Sequence, residues 1–308
     1  MGRLVERFEP LVSEDPRMRR CRRHLLLDLV IVAVCGVLSG CESFVDIERY
    51  GNKKLAFFRR FLALPNGIPS HDTFNRVFVL LKPQGFQACL VAWLNDFRDR
   101  QEQDVIPIDG KTLRHTFDTA AGKSALHSVS AWSTKHHITL GQVAVAAKSN
   151  EITAIPQLLE QLDIAGAIVT IDAAGCQKNI AADIVAGGGD YVLALKGNQE
   201  HLHEDVQQAF EKHLESGTAE QGPGYCQTVT RGHGREEVRH CYALPAPARL
   251  RGRTDWAGLM TIVMVVGMRT IAGVETADVR YYISTLPAKA RKLSRAIRAH
   301  WGIENSLH

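Results

Sequence analysis

Ala167-Ile168-Val169-Thr170-Ile171-Asp172 is an apolar run closed by an acid, and it sets the reading of the whole chain. Such a continuous run suits a strand buried on both faces. Cys176–Ala186 follows with helical spacing, Gly187-Gly188-Gly189 closes that helix, and Tyr191–Leu195 is another apolar strand. Strand, helix, strand in this span implies two parallel strands joined by a crossover.

The pattern extends outward in both directions. Upstream, Val105-Ile106-Pro107-Ile108-Asp109 is another short apolar strand ending in an acid. Leu126–Ser133 and Ile138–Ala147 read as strands about a turn at Lys135-His136-His137, and Thr153–Leu162 as a helix. Downstream, Gln199–Leu214 is helical. Three antiparallel strands followed by helix-connected parallel ones predict a mixed α/β sheet with helices for both faces. Residues 222–285 break the alternation: Gln227–Arg231 and Glu236–Cys241 flank Gly232-His233-Gly234 as a hairpin, and Met260–Met268 and Arg280–Ser284 are further strands. Helix returns from Ala288, where Ile297, Trp301, Glu304 and His308 recur on one face.

Residues 1–103 read differently, as an all-α domain. His24–Ser39 is one helix, too evenly apolar for a surface position. Cys41–Phe61 continues as an amphipathic segment, and Pro65-Asn66-Gly67-Ile68-Pro69 is a turn cluster. Ser70 is the expected cap of a helix through Leu81 with Asp72 in its first turn, Pro83 stops that helix, and Phe86–Arg98 forms another. Helix, Pro/Gly turn, helix is compatible with contact to DNA and equally with plain packing. Arg17, Arg19, Arg20, Arg22 and Arg23 before the apolar run imitate a lipoprotein signal ending at Cys41. The run is too short to span a bilayer, and Asp28 interrupts it, so a buried helix beside an exposed arginine cluster is the expectation.

The 308 residues are 45% hydrophobic and 23% charged, an ordinary globular composition that argues against wholesale disorder. Net charge is +4, distributed as +4 over 1–103, −7 over 104–230 and +7 over 231–308. Two basic ends about an acidic middle suit a protein that binds a polyanion and holds cations at its centre. The seven cysteines form no CxxC pair, which favours reduced thiols in a cytoplasmic protein. Phosphate-loop, dinucleotide and serine-hydrolase signatures are all missing.

Asp109 and Asp172 each follow an apolar strand. If those strands are neighbours, the carboxylates converge at one sheet edge, where a divalent cation would relieve their repulsion. Taken alone, the pair reads equally well as turn-forming aspartates, Asp109-Gly110 being a good turn dipeptide. Glu304 adds a third acid among apolar neighbours, and a boundary position near the end of the helix explains it as readily.

Seven motifs in order change that balance. Ile108-Asp109-Gly110-Lys111-Thr112, Ser130-Ala131-Trp132-Ser133, Lys148-Ser149-Asn150-Glu151-Ile152, Thr170-Ile171-Asp172-Ala173, Gly189–Lys196, Gly232-His233-Gly234-Arg235 and His300-Trp301-Gly302-Ile303-Glu304-Asn305 together resemble the H-repeat-associated insertion-sequence transposases. Pro65–Phe74 is similar to the helical region associated with that family, so the likeness covers Asp15 to His308. It implies a DDE catalytic core of ribonuclease-H-like fold over 104–308, with a β-rich insertion at about 222–285. Asp109, Asp172 and Glu304 carry over as the three acids, 63 and 132 residues apart. Asp109 would bridge two Mg²⁺ or Mn²⁺ ions, with Asp172 and Glu304 each holding one. The implied reaction is cleavage at the element's terminal inverted repeats and strand transfer into target DNA, by a homodimer and without a membrane partner. Lys111, Lys196, Arg231, His233, Arg235, Arg19 and Arg20 are the expected DNA contacts, and His300 and Asn305 are expected to orient Glu304. Trp301 is expected in core packing. Family members continue past the position where this chain stops, so a C-terminally truncated catalytic domain is expected, and a remnant that only binds DNA is the alternative.

Overall fold

A computed structural model of the chain describes residues 2–96, 103–112, 127–145, 150–217, 219–232, 235–271 and 274–306. The chain divides into two compact units, Met1–Arg98 and Asp99–His308.

The described part of the first unit contains α1 (Gly2–Phe8), α2 (Leu26–Leu38), α3 (Phe44–Lys53), α4 (Leu55–Phe58), α5 (His71–Leu80) and α6 (Pro83–Asn95). The apolar helix α2 lies at the centre of its core, against Leu4, Phe8, Ile47, Phe58 and Phe74. Asp28, which interrupts that helix's apolar run, is buried and accepts the Leu64 backbone N–H at 2.8 Å. Burial pushes its carboxyl up, and the Leu64 and Ala63 amides pull against that shift. Leu64 has a positive φ of 39°, so the aspartate secures a strained turn.

Three expectations are corrected here. Ser70 is the N-cap residue of α5 as expected, but its hydroxyl makes no cap bond and meets the Thr73 hydroxyl at 3.1 Å instead. Pro83 opens α6 rather than merely ending α5, because a first-turn proline has no N–H to lose. Arg17 is buried in a two-bond pair with Asp15, leaving Arg19, Arg20, Arg22 and Arg23 exposed. Phe97 and Arg98 lie outside the described residues. Among the described residues no single helix is long and apolar enough to cross a membrane.

The second unit is built on one nine-stranded mixed sheet in the order β3-β2-β1-β4-β5-β9-β8-β7-β6. Its first five strands are β1 (Val105–Thr112), β2 (His127–Ser133), β3 (Ile138–Val145), β4 (Ile168–Ile171) and β5 (Asp190–Leu195). As anticipated, β1, β2 and β3 are antiparallel, and β1, β4 and β5 are parallel. The ends of the strand reading at Leu126 and at Ala146 and Ala147 fall outside the described residues.

Residues 222–285 do not stand apart from this sheet. They form β6 (Tyr225–Gly232), β7 (Arg235–Pro245), β8 (Thr261–Ile271) and β9 (Val274–Ser284), and β9 pairs antiparallel with β5. The sequence marks β9 only from Arg280, because 274–279 is exposed and carries no buried face.

Helices cover both faces. α7 (Glu151–Leu159), α8 (Lys178–Ala186) and α9 (Glu200–Glu215) pack with Ile106, Ile108, Val169, Ile171, Leu193 and Leu195 in the larger core. α10 (Ala290–Ser306) packs on the other face through Leu293, Ala296 and Ile297 against Ile168, Val192, Val263 and Tyr282. Strand alternation thus assigns every second residue of β1, β4 and β5 to the α10 face.

Candidate active site

That alternation decides where the acids point. In β1, Ile106 and Ile108 face α7 and α8, so Asp109 belongs to the α10 face. In β4, Val169 and Ile171 face the helical trio, so Thr170 and Asp172 belong to the α10 face. The register pairs Ile108 with Ile171 in parallel, so Asp109 and Asp172 occupy the next level on adjacent strands. The two acids are neighbours by register, and both line one cleft of about 380 Å³. Its walls also include Thr170, Lys196, Arg280, His300 and Trp301.

β1 does not stop at its acid. It continues to Thr112 along β2, so Asp109-Gly110 is strand rather than turn. The close packing of Gly110 explains its residue type: a Cβ there would overlap the Glu151 carboxylate, whose Cγ would lie 2.9 Å away. Glu151 is held by His127 Nε2 at 2.8 Å, and His127 Nδ1 meets the Thr112 hydroxyl at 3.0 Å.

Asp172 lies where β4 gives way to the loop before α8. Its Oδ1 accepts the Gly175 N–H at 3.2 Å. Two side chains just past β5 fasten the same loop: Asn198 Nδ2 donates to the Ala173 carbonyl at 2.7 Å, and Gln199 Nε2 to the Cys176 carbonyl at 3.0 Å. Sequence alone marks neither, although they lie two and three residues past Lys196. Cys176 itself is fully buried, and burial pushes its thiol far above the ordinary range, which removes it as a nucleophile.

α10 supplies the opposite wall. His300 Nδ1 meets the Thr170 hydroxyl at 3.0 Å, so the last helix is bonded to the strand that leads into Asp172. Trp301 is not core: it is 39% exposed, and the Arg280 guanidinium lies over its ring at 4.6 Å. Position 304 falls one turn beyond His300 on the described backbone of α10.

The remaining expected residues are spread more widely. Lys196 is exposed at the mouth of the cleft. Lys111 lies two residues beyond Asp109 and opposite Ser128, outside the cleft lining. Arg231 is on the sheet face away from α10 and pairs with Glu236 at 3.0 Å, so the fold does not bring it to the acids. The backbone of Arg235 opens β7, and His233 lies outside the described residues. Arg19 and Arg20 are exposed on a short turn of the other unit.

The donor set is chemically suited to a hard divalent cation, since carboxylate oxygens at one level of adjacent strands are the ligands Mg²⁺ accepts. Among the described residues no group of three His, Cys, Asp or Glu side chains gathers to hold an ion. The described side chains contribute two of the three acids.

Sequence comparison places the chain among known proteins over nearly its whole length. Residues 100–308 match the family described as Transposase DDE domain, and residues 6–94 match the one described as DDE_Tnp_1-associated. The chain is 41% identical over 290 residues to the "H repeat-associated putative transposase YhhI" of Escherichia coli K12, covering 92% of this chain and 76% of that one. It is 40% identical over 280 residues to a protein from the dhlA 3′ region of Xanthobacter autotrophicus, covering 90% and 93% of the two chains. A cryo-EM structure of a piggyBac transposase synaptic complex with hairpin DNA covers 98% of this chain and 66% of that one, at 10% identity and a TM-score of 0.38. By the extent of these sequence matches, the chain belongs to the DDE transposase family.

Proposed function

We propose that this insertion-sequence transposase cuts the ends of its element and joins them to target DNA at the Asp109–Asp172 cleft, with Glu304 as the third acid. The observation that carries the reading is the placement of Asp109 and Asp172 at one level and on one face of adjacent parallel strands, beneath the helix that bears position 304. The strand order 3-2-1-4-5 with its antiparallel first hairpins supports a ribonuclease-H-like core, extended by four strands. The helices of residues 2–96 support a separate associated domain, with Arg19 and Arg20 exposed for DNA.

Bound divalent ions, Mg²⁺ or Mn²⁺, would activate the attacking oxygen and neutralise charge on the phosphate. Asp109, Asp172 and Glu304 would hold them. Asn198 and Gln199 keep the Asp172 loop fixed, and Thr170 and His300 fix the helix bearing Glu304. Lys196 and Arg280 would face the negative charge that develops on the phosphodiester. Water attacks phosphorus, a P–O bond forms, and the bond to the 3′ oxygen breaks, releasing a protonated 3′-hydroxyl. That hydroxyl then attacks a target phosphodiester in the same way. Handling two element ends favours a homodimer, and the reaction belongs in the bacterial cytoplasm.

The test combines cleavage with a binding readout. Mn²⁺ should raise the melting temperature of the wild-type chain and not of D109N, because binding to the folded state adds stability by mass action. An element-end duplex should be nicked by the wild type with Mg²⁺ and not by D109N or D172N. Metal stabilisation equal in wild type and D109N would remove Asp109 from the site.

A further inference from the structure

The α10 face of the sheet continues beyond the cleft into a basic shelf. Cys226, Cys241, Val263 and Tyr282 of β6–β9 pack under α10, so alternation places Thr228, Thr230, Glu237, Arg239, Arg269 and the Arg280–Asp278 ion pair on that same face. Arg298 of α10 joins them, its Nη1 donating to the Thr230 hydroxyl at 3.3 Å. Glu237 pairs with Arg239 and lies 3.8 Å from Arg269, so a single carboxylate serves two guanidiniums, with that of Arg298 close by. Burial holds the Arg239 guanidinium below its ordinary value; Glu237 pulls the other way, and the charges of Arg298 and Arg269 add to the lowering.

Two donors in the shelf lack an acceptor. Thr228 Oγ1 and Arg239 Nη1 are both buried and unpartnered among the described residues. Thr228 and Arg239 are also direct partners across β6 and β7. Buried donors in native proteins are nearly always paired, so this unspent hydroxyl and guanidinium N–H, lying beneath the exposed guanidiniums of Arg269 and Arg298, mark the shelf as one with capacity left for an anion that approaches from the solvent side. The forked guanidinium suits the tetrahedral oxygens of a phosphate better than a lone point charge would.

The register fixes the distance from the acids. Asp172 is level with Ala194, Tyr282, Val263 and Ala243, four strands across, and Arg239 lies four residues from Ala243. At ~4.8 Å per strand and ~3.3 Å per residue, the shelf is roughly 20–25 Å from the acid pair. That is about two-thirds of a duplex turn. A polyanion seated at the cleft and running outward over this face would cross the shelf.

We propose that Thr228, Arg239, Arg269 and Arg298 form a phosphate-binding site for the DNA backbone, outside the reaction centre and on its face of the sheet. The proposal rests on the reading of the protein as an enzyme acting on DNA. It assigns the shelf a grip on backbone and no role in reading bases.

Fluorescence anisotropy of a labelled duplex of arbitrary sequence, in EDTA and across a KCl series, tests it. The wild type should show a steep fall of affinity with salt, and R239Q and R298Q should each reduce that slope by about 0.9. T228V, which preserves shape, should weaken binding up to about tenfold at one salt concentration with the slope unchanged. Far-UV circular dichroism confirms that each variant is folded. A steep wild-type slope shared unchanged by folded R239Q and R298Q overturns the shelf alone. A flat wild-type slope overturns the shelf and the DNA reading with it. Inorganic phosphate in place of the duplex separates the sources: if it stabilises the wild type while R239Q leaves duplex binding intact, the site takes free anion and the proposal fails.

Discussion

The Thr170 hydroxyl lies 3.0 Å from Nδ1 of His300, across 130 residues of sequence. It bonds the last helix to the central strand two residues before Asp172. Residue spacing alone sets His300 beside Glu304; the fold gives it a partner on the sheet as well. T170V removes the hydroxyl while keeping the shape, and a half-buried bond of this kind contributes about 0.5–1.5 kcal/mol. We expect that loss in denaturant unfolding, with cleavage falling more steeply than stability. Equal cleavage by T170V and wild type would show that the contact is only structural.

Gly110 and Glu151 make a second pair with a sharp expectation. Glu151 occupies the space a Cβ at 110 would need, and His127 holds it there. G110A should cost about 1–3 kcal/mol by overpacking. Removing the obstruction as well, in G110A/E151A, should recover part of that loss. A double-mutant cycle measures the coupling, and strict additivity would mean that Glu151 yields freely.

Asn198 offers a test of how firmly the Asp172 loop must be held. N198A deletes the 2.7 Å bond to the Ala173 carbonyl, leaving Gln199 on Cys176. The variant should fold and bind DNA as the wild type does, with cleavage lowered about tenfold or more through misplacement of the acid. The apparent Mn²⁺ affinity, followed by thermal shift, should weaken in parallel.

Asp28 carries a pH dependence whose sign follows from burial. Its folded-state pKa is raised above the unfolded value, so its neutral form favours folding. That contribution is complete below about 3.8 and is lost as pH rises through the higher folded value. D28N keeps an acceptor for the Leu64 N–H but cannot ionise. Paired melts from neutral to mildly acidic pH should therefore show the wild type gaining on D28N as pH falls. A constant difference would place the Asp28 titration near its ordinary range.

The core of the second unit was legible because it is written in runs. Ala167–Ile171 and Tyr191–Leu195 contribute to the cores on both faces, and continuous apolarity announces such strands. Position and level of Asp109 and Asp172 followed once those strands were neighbours. The far part of β9 was illegible because its 274–279 stretch is exposed and held by pairing with β8 alone. The arginine shelf escaped notice for a related reason: Arg239, Arg269 and Arg298 come from three elements, and register alone assembles them. Arg231, on the hairpin that the sequence does mark, faces away from α10 and pairs with Glu236.

The pairing of β9, rather than β6, with β5 has an evolutionary reading. Between α9 and α10 the chain runs out to the far edge at β6 and returns strand by strand to the centre, ending where α10 must begin. Hairpins can then be gained or lost at the outer edge without altering the strand that feeds the last helix.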